Sequence, residues 1–339
     1  MPPSKLRDVI KSRQGSIITV AGPMVRYSKL PFRILCGFYD VDIIYTPMIL
    51  AREFVRNEVA RYSDFTTNDQ DRCVIVQVGV NNVEDFMKFV DMIHPFVQGI
   101  GINCGCPIPL QVREGIGAAL MSEPNLVSNL IKTAKSKYGD KIFIDTKIRI
   151  HKDLNDTIEF VKKVQDAGTD MITIHGRTKT TRSSVPVNLD AIKLLRPYIK
   201  VPVIANGDCF TLEDCNKIVE YTKVDGVMSA RGILANPALF KGYNKTPWGA
   251  VEMFMDLTTS YGLPFKISQH HVSQFLENME ISKKIVKQLN DCKNMIEMID
   301  LMDDYFVVKR SNEENFATAI EPQFRNLQKD EFVKKPLYV

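Results

Sequence analysis

The sequence predicts a (β/α)8 TIM barrel, an α/β fold, followed by a small C-terminal helical domain, and three observations support this prediction. Short β-branched runs alternate with turns and amphipathic stretches from residue 16 to residue 243. Several of these runs are apolar on both faces, which is typical of strands in a buried parallel sheet. Beyond this region the strand pattern stops, and residues 247–308 show helical periodicity instead.

Eight runs fit the strand pattern. They are residues 16–21, 42–46, 73–79, 98–103, 142–147, 170–175, 201–206 and 225–229. Eight alternating strand and helix units are typical of a closed barrel. A doubly wound open sheet is the alternative fold. No Gly-x-Gly-x-x-Gly motif follows the first strand, which counts against the dinucleotide-binding version of that alternative.

Helices are predicted between the strands. They cover residues 83–93, 125–137, 155–167, 211–221 and 236–243. Asn82 precedes the first of them, and Glu123-Pro124 opens the second, as residues at helix starts commonly do. Thr211, with Asp214 three residues later, resembles a capping box.

The pattern divides the chain into four parts. They are a polar lead-in over residues 1–15, the barrel over 16–243, the helical domain over 244–310 and a charged tail over 311–339. No apolar run approaches the length needed to cross a bilayer, and the basic N-terminus lacks the apolar segment of a secretory signal. We therefore expect no membrane partner.

The composition is ordinary for a soluble globular protein, with 45% hydrophobic and 25% charged residues. The seven cysteines are irregularly spaced, so reduced thiols are expected, in the cytoplasm or also in the nucleus. The formal net charge of +4 permits an RNA partner without requiring one. We expect a monomer.

The residues at the predicted strand ends suggest an active site, because barrel enzymes place their catalytic groups at that rim. These residues are Gly22-Pro23-Met24, Gln77, Asn103, Lys147, His175, Asn206 and Ala230-Arg231. Polar and charged groups are concentrated at one rim of an otherwise apolar tube. This concentration favours a catalytic site over a purely structural barrel.

The turns after the last two strands suggest a phosphate site. Asn206-Gly207-Asp208 and Ala230-Arg231-Gly232 are glycine-bearing turns that open helices, where backbone N–H groups point at anions. The glycines could also serve only to make short turns. Their occurrence at adjacent strands favours a cofactor that carries phosphate.

Lys147 and His175 are candidates for cofactor contacts. A lysine in the mouth of a barrel needs an anion or an electron-rich group, such as the ring of a reduced flavin. Lys147 could also extend to the rim, and His175 could be an acid, a flavin contact or a buried histidine. The basic loop with Arg177, Lys179 and Arg182 could contact RNA phosphates or lie in solvent.

Cys104 and Cys106 do not fit a structural zinc site, because such a site needs four ligands and no second cysteine pair is present. We expect no metal. Cys106 follows a strand end between Gly105 and Pro107, which places a thiol on a constrained loop over the barrel mouth. A thiol is mostly protonated at neutral pH and can act as an acid. Cys104 fits the role of a small buried hydrophobic residue better.

These motifs resemble those of the tRNA-dihydrouridine synthases, over residues 16–310. The motifs are Gly101-Ile102-Asn103-Cys104-Gly105-Cys106-Pro107, Gly115-Ile116-Gly117-Ala118, Lys147-Ile148-Arg149, His175-Gly176-Arg177-Thr178, Asn206-Gly207-Asp208 and Ala230-Arg231-Gly232. Further details, such as the loop 182–187, are similar to the eukaryotic class that acts at positions 20a and 20b of the tRNA D-loop, and to fungal members in particular.

The resemblance implies an FMN-dependent enzyme that reduces uridines in tRNA, with NADPH or NADH as reductant. The implied FMN contacts are Gly22, Pro23, Met24, Gln77, Lys147, His175, Asn206, Gly207, Asp208, Ala230 and Arg231. The implied substrate contacts are Asn103, near the target base, and Arg149, Arg177, Lys179 and Arg182. Cys106 is the implied acid. One departure is Gly22, which stands where the family usually has alanine.

Two other functions compete with this one. An FMN barrel similar to dihydroorotate dehydrogenase would share the phosphate turns and the lysine at a strand end, but would not need a helical domain that binds RNA. A non-catalytic RNA-binding barrel is the second alternative, and the intact Cys106, Lys147 and Arg231 argue against it. Gln269-His270-His271 could belong to an RNA surface or to the packing of the helical domain.

Overall fold

The structure is a computed structural model that describes residues 5–325. Its parallel strands in this range are β1 (Ile18–Ala21), β2 (Ile43–Tyr45), β3 (Ile49–Leu50), β4 (Val74–Gly79), β5 (Gly99–Cys104), β6 (Phe143–Arg149), β7 (Met171–His175), β8 (Val203–Asn206) and β9 (Gly226–Ser229). Their order is β2-β1-β9-β8-β7-β6-β5-β4-β3, and a further pairing of β2 with β4 closes the ring. The predicted TIM barrel is confirmed.

Each predicted strand corresponds to one strand of the closed ring. The short β3 was not predicted; it pairs with the end of β4 outside the ring. Two residues are too few to produce a periodic signal in a sequence, because alternation needs at least four to be recognised.

Helices surround the barrel and follow it in the chain. Those of the barrel region are α1 (Lys5–Ser12), α2 (Leu30–Phe38), α3 (Ala51–Arg56), α4 (Glu58–Asp64), α5 (Val83–Ile93), α6 (Pro109–Arg113), α7 (Pro124–Tyr138), α8 (Leu154–Asp166), α9 (Leu189–Leu195), α10 (Leu212–Thr222) and α11 (Arg231–Ala235). Those of the C-terminal region are α12 (Trp248–Tyr261), α13 (Phe265–Asn278), α14 (Lys283–Asp291) and α15 (Met295–Tyr305). No helix within residues 5–325 is long and apolar enough to span a bilayer.

The helix-start signals are confirmed where the sequence showed them. The side chain of Asn82 accepts a hydrogen bond from the backbone N–H of Asp85 at the start of α5. Thr211 and Asp214 form the reciprocal hydrogen bonds of a capping box at the start of α10. These short polar side chains satisfy backbone N–H groups that the first turn of a helix leaves without partners.

The helix predicted over residues 236–243 is wrong. Helix α11 ends at Ala235, and only a short 3-10 turn, Leu239–Lys241, follows. The side chain of Asn236 accepts from the backbone N–H of Ala238 and donates to the carbonyl of Tyr243. These local bonds replace helical ones, and the following proline also disfavours helical backbone at residue 236.

The strands bury different side chains on their two faces. Inward-facing residues fill the barrel as a cluster that is separate from the main core; they are Ile18, Val20, Ile43, Tyr45, Ile75, Phe143, Met171, Ile204 and Met228. Residues at the alternate positions, such as Ile44, Val76 and Ile144, pack outward against the helices. This alternation decides which residues of each strand reach the barrel mouth.

The barrel floor is closed by α1, where the sequence predicted a polar lead-in. Leu6 is fully buried among the inward-facing side chains. Gly99 leaves room for it, because a Cβ atom at Gly99 would lie 2.8 Å from the Cδ1 atom of Leu6. Arg7 anchors the helix by an ion pair to Asp170 at 2.7 Å. Val9 and Ile10 of the same helix are half-buried, and Ile10 packs against the same cluster. A helix of only eight residues is too short for its periodicity to be recognised in the sequence.

The segment after α15 packs back onto α12, although the sequence predicted a charged tail from residue 311. The buried carboxylate of Glu252 on α12 accepts hydrogen bonds from the backbone N–H groups of Lys309 and Ala317, at 2.9 and 3.0 Å. The backbone N–H of Gly249 donates to the carbonyl of Ala319. The packed segment thus includes residues 309–319, and residues 326–339 of the predicted tail lie outside the described residues.

Candidate active site

One layer of inward-facing polar side chains forms the mouth of the barrel. It consists of Gln77 on β4, Asn103 on β5, Lys147 on β6, His175 on β7 and Asn206 on β8. Strand register brings these residues together: Asn103 pairs with Lys147, and His175 pairs with Asn206. The strand-end residues singled out in the sequence therefore lie at a common site.

The loop that carries Cys106 is held by Asn103. The Oδ1 atom of Asn103 accepts hydrogen bonds from the backbone N–H groups of Gly105 and Cys106, at 2.9 and 2.8 Å. The carbonyl of Cys106 accepts from Ala118 at 2.9 Å. Gly117 has a φ of +66°, and a Cβ there would lie 2.7 Å from the Cys106 carbonyl oxygen, so glycine is required. The half-buried Cys106 side chain is thus fixed at the mouth.

Arg149 joins this loop to the segment after β7. Its Nε donates to the carbonyl of Gly105 at 2.8 Å, and its Nη1 donates to the carbonyl of Thr178 at 2.7 Å. Burial and the positive charge of Arg177 lower the pKa of Arg149. The side chain predicted to contact the substrate thus braces two loops of the mouth.

Gln77 presents an unused donor. Its Oε1 accepts from the Nδ2 of Asn103 at 2.8 Å, which fixes the orientation of the amide. Its Nε2 is buried and has no hydrogen-bond partner among residues 5–325. A buried donor without a partner is costly and indicates that a ligand atom completes the site.

Lys147 is a partly buried cation with a lowered pKa. Its Nζ donates to the Oδ1 of Asn206 at 2.9 Å, and the amide of Asn206 in turn donates to the carbonyl of Met228. Burial, followed by the charge of Arg149, lowers the pKa of Lys147 to about 8. Lys147 is therefore mostly protonated at neutral pH, although its pKa is only slightly above that pH.

His175 is a neutral imidazole with a defined tautomer. Its Nε2 lies 3.0 Å from the Nη1 of Arg177, which can only donate, so Nε2 accepts and the proton resides on Nδ1. Burial, with further contributions from Lys147 and Arg149, lowers the pKa of His175 to about 2. His175 therefore offers a donor N–H to a ligand but does not supply a proton as imidazolium.

The turns after β8 and β9 form a cradle beside the mouth. Gly207 has a φ of +127°, and a Cβ there would lie 2.7 Å from the Val187 side chain. The carboxylate of Asp208 binds Arg177 through one oxygen and Arg231 through the other, at 2.5 and 2.7 Å. Because Asp208 is an anion, its side chain does not itself bind phosphate; it orients two guanidinium groups at the cradle.

The end of β1 explains the departure at Gly22. Its backbone N–H donates to the carbonyl of Ser229 at 2.8 Å, so the strand end lies against β9. A Cβ at Gly22 would lie 3.1 Å from the Cγ and Sδ atoms of Met228. Glycine therefore fits where the Met228 side chain occupies the space of a methyl group.

The basic loop after β7 differs in part from the expectation. The side chain of Arg177 is only 2% exposed and is bound by Asp208 and the carbonyl of Val185. It forms a wall of the cradle and does not lie on an exposed surface, where RNA contact was expected. Lys179 and Arg182 are exposed, as an RNA-contacting role requires.

A groove beside the mouth was not identified from the sequence. It has a volume of about 650 Å³ and lies between the ends of β1 and β2, helix α4 and the turn from α12 to α13. Tyr62 and Tyr261 line it and are 75% and 42% exposed. Arg26 also lines it and has no ion pair within the described range. The groove residues come from distant segments, so no local motif indicates them.

The Gln269-His270-His271 segment packs within the fold. His271 is fully buried and donates from Nε2 to the carbonyl of Tyr27 at 3.2 Å. Gln269 is also buried and donates to the carbonyl of Leu289. The ring of His270 stacks on Tyr27. Of the two roles considered for this segment, the structure supports packing, and it connects α13 to the loop that follows β1.

The fold and the site are those of a TIM-barrel oxidoreductase. The sequence model of the dihydrouridine synthase family matches residues 19–334, and the chain belongs to that family. A Saccharomyces cerevisiae protein named tRNA-dihydrouridine(20a/20b) synthase (NAD(P)+) is 54% identical over 94% of this chain and 88% of its own length. A Schizosaccharomyces pombe protein of the same name is 45% identical over 94% of this chain and 97% of its own length.

A comparison with solved structures supports the fold alone. The structure of 2-naphthoyl-CoA reductase is similar with a TM-score of 0.51 at 9% identity, over 66% of this chain and 49% of that one. No group of three or more His, Cys, Asp or Glu side chains suited to a metal ion lies within residues 5–325.

Proposed function

We propose that this chain reduces uridines at positions 20a and 20b of the tRNA D-loop to 5,6-dihydrouridine. The names of the two yeast relatives support both the substrate and the positions. The observation that carries the proposal is the placement of Cys106 on a fixed loop at the same barrel mouth as Lys147 and His175. A thiol, a cation and a neutral donor N–H thus lie at one barrel mouth.

The residues at the mouth fit FMN. The buried Nε2 of Gln77, the Nζ of Lys147 and the Nδ1–H of His175 are donors, and the pyrimidine edge of a flavin carries acceptors. The cradle with Gly207 and Arg231 fits the phosphate. The remaining proposed FMN contacts are Gly22, Pro23, Met24, Asn206 and Ala230, together with the backbone of Asp208.

FMN held by these residues would supply the redox chemistry, accepting a hydride from NADPH or NADH and delivering it to C6 of the uracil. The protein's own residues supply the proton for C5 and stabilise the negative charge that develops on the uracil. Cys106 donates the thiol proton to C5, and the resulting thiolate regains a proton from water. Lys147 places positive charge where negative charge develops on the uracil. The general acid catalysis by Cys106 typically contributes a factor of about 10² to 10⁴ to the rate.

The tRNA contacts lie around the mouth. A uridine must leave the stack of the D-loop to reach Cys106, as bases do in other enzymes that act on them. The exposed Lys179 and Arg182 suit contacts to phosphates. The groove beside the mouth offers Arg26 for a phosphate and the exposed ring of Tyr62 for an unstacked base.

The test is reconstitution with defined RNA. The purified protein, loaded with FMN and given NADPH or NADH, is incubated with unmodified tRNA, and dihydrouridine is mapped by position. We expect dihydrouridine at 20a and 20b. In Cys106→Ala, turnover should fall by about 10² to 10⁴ with FMN still bound. Cys104→Ala, at a fully buried thiol two residues away, is the matched control and should retain turnover.

Four outcomes would contradict the proposal. Unmodified positions 20a and 20b would refute the assigned positions, and full activity of Cys106→Ala would refute the assigned acid. Turnover of free dihydroorotate without RNA would favour the alternative flavin barrel. A colourless protein that binds tRNA would instead favour a barrel that has an RNA-binding role only.

A further inference from the structure

A carboxyl group is buried inside the barrel beneath the mouth. Asp145 lies on β6, two residues before Lys147, and therefore on the same inward face of the strand. Its side chain is fully buried. The hydroxyl of Tyr45 donates to its Oδ2 at 2.6 Å, and the hydroxyl of Thr173 donates to its Oδ1 at 3.0 Å. None of the roles assigned above uses this group.

The surroundings of Asp145 are arranged to hold it. Gly101 on the neighbouring strand leaves room for the ring of Tyr45, since a Cβ there would lie 2.8 Å from the Cε1 atom of that ring. Tyr45 itself is fully buried, and its hydroxyl is directed at Asp145. Two neutral donors offset only part of the cost of burying a carboxylate, so a nearby cation is needed for the rest.

The cation at the next inward position of the same strand is Lys147. Among residues 5–325, Asp145 forms no ion pair within 4 Å, and its charge and that of Lys147 act on each other without direct contact. The other ionisable groups that act on these two residues are Tyr45 and Cys104 near Asp145, and Arg149, Cys106 and His175 near Lys147.

We propose that Asp145 is a positioning residue whose negative charge keeps Lys147 protonated at the barrel mouth. This inference rests on the proposed function in so far as Lys147 faces the flavin and the uracil. Protonated Lys147 supplies the positive charge that stabilises developing negative charge. The buried charge of Asp145 is thus part of the electrostatics of the site although it touches neither cofactor nor substrate.

The direction of the effect follows from the charges. Burial and Arg149 lower the pKa of Lys147 to about 8, whereas Asp145 and Cys106 raise it. Burial raises the pKa of Asp145 to about 7, so the carboxylate is mostly ionised where Lys147 titrates. Without the negative charge of Asp145, less counteracts the lowering of the Lys147 pKa by burial and by Arg149. Lys147 then loses its proton at a lower pH than in the wild type.

The test compares two substitutions on one strand. Asp145→Asn removes the charge and keeps the shape, and the hydroxyls of Tyr45 and Thr173 can turn to accept from its amide. Thr146→Val is the matched control, because it removes a buried hydrogen bond, to Thr169, on the outward face of the same strand without changing charge. Both variants are measured as purified holoprotein.

Two measurements report on Lys147. The first is its titration midpoint, followed by NMR of lysine labelled at Cε, with the Lys147 signal identified by its loss in Lys147→Met. The second is the pH dependence of dihydrouridine formation. In Asp145→Asn, we expect the midpoint and the basic limb of the activity profile to move down by about one pH unit or more. In Thr146→Val, neither should move.

An unchanged midpoint in folded Asp145→Asn would overturn the inference. Should that variant fail to fold, Asp145→Ala removes the same charge without adding a donor, and the same shift is expected. The NMR midpoint does not depend on turnover. A wild-type protein that makes no dihydrouridine would therefore contradict the proposed function while leaving this test of Asp145 intact.

Discussion

The Oδ1 atom of Asn103 accepts a hydrogen bond from the backbone N–H of Cys106 at 2.8 Å. The same oxygen also binds the N–H of Gly105, and the amide nitrogen donates to Gln77. One buried side chain thus connects the loop of the proposed acid to the proposed flavin contact on β4. Asn103 acts on the position of Cys106 rather than only on the target base.

Asn103→Ala should slow the reaction without removing the thiol. The loop would lose two hydrogen bonds, and a small misplacement of a reacting group can reduce the rate by roughly 10²-fold. We expect the turnover number to fall by about 10- to 100-fold, with the tRNA affinity nearly unchanged. Single-turnover kinetics with unmodified tRNA would measure this. A variant that turns over at the wild-type rate would show that the loop holds its position without Asn103.

Arg231→Ala should weaken binding of FMN but not of riboflavin. Arg231 is half exposed, is oriented by Asp208 and opens the cradle proposed for the phosphate. A hydrogen bond to a charged group contributes about 1.5–3 kcal/mol, which corresponds to roughly a 10- to 150-fold loss of affinity. Fluorescence titration of the apoprotein with both flavins provides the measurement. Equal losses for FMN and riboflavin would place the phosphate elsewhere.

His271 should make the protein sensitive to acid. Burial lowers its pKa to about 3, from an ordinary value of 6.5 in the unfolded chain. The unfolded state therefore binds a proton first, so this contribution to stability is complete above pH 6.5 and is lost as the pH falls toward 3. His271→Phe should reduce the slope of unfolding free energy against pH by up to about 1.4 kcal/mol per pH unit in that window.

Chemical denaturation at several pH values tests this prediction for His271. His270→Phe, at the neighbouring and less buried position, is the control and should leave the slope nearly as it is. The proposal of a neutral buried His271 fails if both variants lose stability between pH 6.5 and 3 as steeply as the wild type.

The ion pair between Arg33 and Asp71 should be essential for stability. Both side chains are buried, at 2% and 0% exposure, and the Nη2 of Arg33 lies 2.6 Å from the Oδ2 of Asp71. Arg33→Met leaves the carboxylate buried without its cation, which typically costs about 3–5 kcal/mol. Arg52→Met breaks an exposed pair with Glu53 and should cost less than about 1 kcal/mol. Urea denaturation would compare the two, and equal losses would contradict the argument.

The barrel and its mouth could be predicted because their signals are local. Strands buried on both faces produce apolar runs, and alternation then determines that Lys147 and His175 reach the same rim. Glycine turns at Gly207 and Gly232 likewise reflect backbone conformation and close packing at single positions. Such features depend on short segments, which the sequence shows directly.

The features that could not be predicted depend on partners distant in the chain. In the sequence, Asp145 is an isolated acidic residue within a strand. Its hydrogen-bond partner Tyr45 lies a hundred positions earlier and is adjacent only in the fold. Arg177 belongs to a basic segment of the sequence, but in the fold its ion pair with Asp208 holds it in the cradle. The Arg33–Asp71 pair also joins separate segments. In each case a tertiary contact determines where the charged side chain lies, and the local sequence does not reveal that contact.

The carboxylate of Glu252 makes the end of the described chain a structural part of the helical region. Its two oxygens bind Trp248 on its own helix and the backbone at Lys309 and Ala317. A fragment that stopped at residue 310 would leave one of these oxygens buried without a partner and would expose Gly249, against which Ala317 lies. An excised helical region should therefore fold as an independent unit only if it extends through residue 325.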